Sequence, residues 1–189
     1  MKKFLLSLGL ISALVIAGCS QSETDEETNG DDNSEEQSTD EQSKKEEESS
    51  DNAEVKKELL SAQMDFTSKI SPYQQKINAY QASLADEEAT DEDIQKAADE
   101  ALTAAGEAQS ELDGYKIEAN VPEDIKERYE QAIAILAEYY SEAEAAIEES
   151  ALEPDFTAAQ EKWDNFQSSI TDIYEGEDMF APNMADALS

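Results

Sequence analysis

Reactive chemistry in this chain comes down to one thiol and 47 carboxyls. Cys19 is the only cysteine, and no histidine occurs. Without an imidazole there is no base for Ser-His-Asp or Cys-His catalysis, and nearly all zinc and non-haem iron sites lose a ligand they need. The Glu-x-x-His pairs of di-iron bundles are excluded for the same reason. Carboxylates at helical spacing remain, for example Glu138 with Glu142 and Glu144 with Glu148. Such pairs share one helix face. A glycosidase-type acid and base instead face each other across a groove, one of them with a raised pKa. Asp91-Glu92-Asp93 and Glu175-Gly176-Glu177-Asp178 lack the alternating ligands and terminal glutamate of a calcium loop. The expectation is no catalytic residue, no cofactor and no specific metal site, with only diffuse cation condensation on the acid surface.

The setting of Cys19 is more telling than its chemistry. Lys2 and Lys3 make a positive start, Phe4 to Val15 an apolar run, and Ile16-Ala17-Gly18-Cys19 closes the segment with small residues. The run is well short of the ~20 residues that cross a bilayer, so residues 1–18 read as a secretory signal. The four closing residues resemble the lipobox of bacterial lipoproteins. That resemblance implies cleavage before Cys19 and diacylglycerol on its sulfur, with two acyl chains such as palmitate. Two chains hold a protein on a membrane, where one gives only marginal binding. The implied location is the extracytoplasmic face of the cell membrane. The full layout of signal, acidic tether and helical bundle is similar to that of small Gram-positive lipoproteins, and no functional residue besides Cys19 carries over from them.

The charge balance excludes other partners. Thirteen basic residues against 47 acidic ones give a formal net charge of −34. A surface this negative repels nucleic acid and anionic lipid, and leaves an envelope protein or a basic peptide as the compatible macromolecules.

Four segments follow one another. Residues 19–52 carry the lipidated cysteine and a polar tether with fourteen acidic residues against Lys44 and Lys45, which reads as disordered because nothing in it can form a core. Residues 53–176 carry four apolar stripes at helical spacing. The first runs from Val55 through Leu59, Phe66, Ile70 and Ile77 to Leu84, with a phase skip just before Ser71-Pro72 that predicts a kink or a break, Ser71 re-capping the second piece. The second, rich in alanine, starts after a cap at Thr90-Asp91-Glu92-Asp93 and stops at Gly114. The third opens at Pro122 as first helical residue, and the fourth spans Phe156 to Ile173 before Gly176. No run reads as a strand. Short connections between narrow stripes specify an all-α, antiparallel, up-down-up-down four-helix bundle. Residues 177–189 form a tail without a period.

Phe66, Tyr139, Trp163 and Phe166 are expected to fill the space opposite the alanine face, with Trp163 largely buried. Tyr139 and Tyr140 are adjacent, which predicts that one lies at the bundle edge as a partner surface. Met179, Phe180 and Met184 of the tail are the other apolar groups without an assigned place, either folded over the bundle or exposed to a partner. Together these features predict a membrane-anchored, non-enzymatic binding or scaffold module. The alternatives are a solute- or cation-binding lipoprotein and a carboxylate-dependent cell-wall enzyme. A ligand-sized cavity favours the first alternative, and a facing carboxylate pair in a cleft favours the second.

Overall fold

The computed structural model describes residues 39–189, with side chains from Asn52 onward. The signal at 1–18, Cys19 and the tether up to residue 38 lie outside the described residues. The fold is an all-α bundle of α1 (Thr39–Ala85), α2 (Asp91–Gly114), α3 (Glu123–Glu149), α4 (Thr157–Gly176) and a short α5 (Met184–Ala187). Among the described residues there is no strand. Lys76 meets Glu100, and Asp65 accepts from Tyr115, so α1 and α2 are antiparallel. Lys162 meets Glu138, and Arg128 lies beside Gly176, which sets α3 and α4 antiparallel as well.

Two sequence expectations about α1 change. The helix starts at Thr39, inside the segment that composition assigns to the tether. Glu, Gln and Lys are good helix formers, and extending a helix that packing has already nucleated costs little per residue. The helix also runs through Pro72 without a break. Proline removes one amide and leaves the Ser68 carbonyl without its helical partner. Both residues are exposed, so water can satisfy that carbonyl. Ser71 caps nothing there; its hydroxyl donates to the Leu188 carbonyl at 3.2 Å.

The connections are built from local hydrogen bonds. Thr90 and Asp93 form a capping box at the start of α2, each satisfying the other's backbone amide. Pro122 is the residue just before α3 and not its first turn. Between α2 and α3 the chain is extended, with Tyr115, Ile117, Ala119 and Val121 buried and the residues between them exposed. That period of two belongs to a single extended segment lying along α1, where Asn120 N–H donates to Glu58 Oε2 at 3.0 Å. At the end of α4, Met179 N–H reaches the Tyr174 carbonyl and Asp178 N–H the Glu175 carbonyl, a Schellman closure. Asp178 supplies the left-handed residue at φ 51°, not Gly176.

Packing is uneven around the bundle. α2 lies close against α1 and α3, and α3 against α4. Buried Ala98, Ala101, Ala104, Ala105 and Ala108 allow α2 that approach. The α1–α4 side is wider and is bridged by long side chains and by the tail. Phe66 and Phe166 meet at 6.2 Å between ring centroids, and the Tyr174 hydroxyl reaches the Leu59 carbonyl at 3.1 Å. The tail continues this filling. Met184 and Leu188 are fully buried, Gln167 of α4 holds the Pro182 carbonyl and the Met184 amide, and Ser71 and Gln75 of α1 hold the Leu188 and Ser189 carbonyls. The seam is therefore covered as far as Ser71 and Gln75.

Candidate functional site

Beyond the tail the same seam is open. α1 brings Gln74, Asn78 and Gln81 to it at helical spacing, so the three amides lie on one face. α4 brings Phe156, Gln160 and Trp163, Tyr139 of α3 forms the floor, and Ala185 of α5 stands at the rim. The recess has a volume of about 180 Å³. No charged side chain lines it. The grooves on the α1–α2 side are different, since carboxylates such as Asp99, Glu100 and Glu107 line them.

A buried amide organises the floor. Gln74 is 5% exposed, and its Oε1 accepts from the Tyr140 hydroxyl at 2.9 Å. Its Nε2 donates to the Tyr139 hydroxyl oxygen at 3.0 Å and to Asn78 Oδ1 at 2.9 Å. These bonds orient each group by elimination. Tyr139, having accepted from Gln74, keeps its own proton to donate. Asn78, with its oxygen engaged, turns its NH₂ outward. Gln160 gives an amide proton to Asp164 at 2.8 Å, which leaves its carbonyl oxygen to accept. The Trp163 indole N–H has no protein acceptor among the described residues. Tyr139 and Trp163 pack edge to face at 5.1 Å, which fixes the indole plane against the floor.

Burial keeps Tyr139 and the neighbouring Tyr140 protonated. It raises the Tyr139 pKa, against a smaller lowering by the Gln74 hydrogen bond. It raises Tyr140 further, with the neighbouring Tyr139 adding to the effect. Both therefore act as neutral hydroxyls near neutral pH. The cleft offers a fixed set of donors and acceptors, two aromatic surfaces and no ionised group.

Of the residues singled out from sequence, Tyr139 and Trp163 line the cleft and the others lie outside it. Neither Tyr139 nor Tyr140 is an exposed partner surface, because both are buried. α3 has α2 on one side, α4 on the other and α1 across the centre, so its buried arc is wide enough for adjacent residues. Gln74 then satisfies both hydroxyls. Trp163 is only half-buried and belongs to the cleft wall. Met184 is fully buried and Met179 half-buried against the core, so neither presents a surface. Phe180 is 100% exposed. Of the carboxylate pairs, Glu138 is held by Lys162 at 2.6 Å and Glu144 by Gln109 at 2.7 Å. Among the described residues no group of three or more ligand-type side chains is gathered as a metal site requires. The sequence reading missed Gln74, Asn78, Gln81 and Gln160. Their signal was the four-then-three spacing of amides on α1 beside its apolar stripe. Comparison with protein-family models, with curated proteins and with solved structures gives no match to this chain.

Proposed function

We propose that this protein is a lipid-anchored, extracytoplasmic binding module without a catalytic role, and that its binding site is the cleft between α1 and α4. The lipobox at Ile16 to Cys19 supports the anchoring half of this reading. No helix among the described residues is long and apolar enough to cross a membrane.

One observation carries the binding half: an uncharged, amide- and aromatic-lined recess on a chain of net charge −34. Ligand sites use a small number of fixed polar groups to orient what they bind. Among the alternatives open from sequence, a cavity of this kind favours capture of a small polar group over passive display. It gives no support to a cell-wall hydrolase, which needs a carboxyl with a raised pKa. Asp93, Glu100 and Asp155 are shifted downward, by hydrogen bonds from Thr90, Lys76 and Thr157 respectively.

Each half has its own test. Growth with labelled fatty acid, followed by detergent partitioning, should place label and protein in the membrane fraction for the native chain and in neither for Cys19→Ala; equal labelling of both overturns the anchor. A photo-crosslinking residue in place of Gln81, irradiated in intact cells, should form an adduct that the same residue at Glu111 on α2 does not. Absence of an adduct at Gln81 overturns the cleft as the binding site.

A further inference from the structure

We propose that the cleft takes a neutral sugar ring. This deepens the binding reading above and rests on it. Three features of the cleft select the class. The first is charge: Gln74, Asn78, Gln81 and Gln160 are neutral, and the tyrosine floor stays protonated, so an anion finds no cationic partner there and is repelled by the surrounding acid surface. A cation finds no carboxylate in the cleft and many outside it.

The second feature is the polar pattern. Asn78 NH₂, the Tyr139 hydroxyl and the Trp163 indole N–H are donors, the Gln160 carbonyl is an acceptor, and Gln81 provides both. A ligand that meets all of these must offer several acceptors and at least one donor close together. Vicinal hydroxyls do this, whereas a peptide unit offers one donor and one acceptor. The third is the Trp163 and Phe156 pair. The C–H face of a pyranose is slightly positive and packs on the negative face of an aromatic ring. Trp163 is half-buried and held edge to face by Tyr139 and Phe166, so its plane is fixed before any ligand arrives. The ligand is therefore a neutral sugar ring.

Trp163 is the only tryptophan, so its emission reports on the cleft alone. The full-length chain is titrated with triacetylchitotriose and with maltotriose, and separately with the neutral peptide acetyl-Ala-Pro-Ala-amide. The expected result is a saturable change with at least one of the sugars and none with the peptide. Asn78→Ala and Gln81→Ala, which change half-buried or exposed side chains, should each weaken it about tenfold. Glu111→Gln should leave it unchanged. A saturable change with the peptide alone overturns the carbohydrate class while retaining the cleft as a binding site. No change with any of the three probes overturns this inference, and the crosslink at Gln81 then decides separately on the site itself.

Discussion

The Tyr140 hydroxyl of α3 donates to Gln74 Oε1 of α1 at 2.9 Å, across the middle of the bundle and away from water. This bond ties diagonal helices together and fixes which way the Gln74 amide faces the cleft. Removing one partner strands the other in an apolar setting, which costs about 1–3 kcal/mol. Gln74→Leu and Tyr140→Phe should each lower stability by about that much in urea unfolding. The double variant should cost clearly less than the two single losses added, because the Tyr140 hydroxyl is then no longer stranded by the loss of Gln74. Additive losses would show that the two groups do not depend on each other.

Asp178 adopts a left-handed conformation that glycine reaches without strain. Asp178→Gly should raise stability by about 0.5–1 kcal/mol, and Asp178→Val should lower it by at least about 1 kcal/mol. Thermal unfolding of the two variants beside the native chain checks the order.

The tail divides into a packed and an unpacked part. Met184→Ala should cost about 2–5 kcal/mol, as loss of a fully buried side chain does. Phe180→Ser should stay within about 0.5 kcal/mol, since the ring is wholly exposed. Equal effects would mean that the tail does not fill the α1–α4 seam.

The capping box gives a pH dependence. The Thr90 hydrogen bonds lower the Asp93 pKa in the folded protein. A depressed folded pKa contributes stability that is present above the ordinary value of 3.8 and is lost as pH falls through the lower folded value. Asp93→Asn should therefore reduce stability at neutral pH and flatten its loss on acidification below that range. Carboxyl chemical shifts followed through the titration locate the midpoint.

How much of this was legible in the sequence depends on the element. Leu59, Phe66, Ile70 and Ile77 keep helical phase, and the alanines of α2 share one face, so four helices and their core faces followed directly from periodicity. Helix ends at Gly114 and Gly176 and the cap at Thr90 were equally readable. The tail was not, because Met184 and Leu188 are placed by the width of the α1–α4 seam, and no local period records that width. The burial of Tyr139 beside Tyr140 was hidden for a similar reason: it depends on Gln74, 65 and 66 residues away along the chain, to satisfy both hydroxyls. Asn78, Gln81 and Gln160 become a site only where α1 and α4 stand apart with Trp163 between them.

The central claim is that the α1–α4 cleft is where this protein meets its ligand. It is tested most directly by following the side-chain NH₂ signals of Asn78 and Gln81 and the Trp163 indole N–H by NMR. The full-length chain is titrated for this purpose with soluble cell-wall fragments that carry both sugar and peptide. The account predicts saturable shifts centred on these three groups, abolished in Ala185→Trp, whose new ring fills the cleft from its exposed rim. Shifts that leave these groups unmoved and gather around exposed Phe180, Leu60 and Met64 would contradict it.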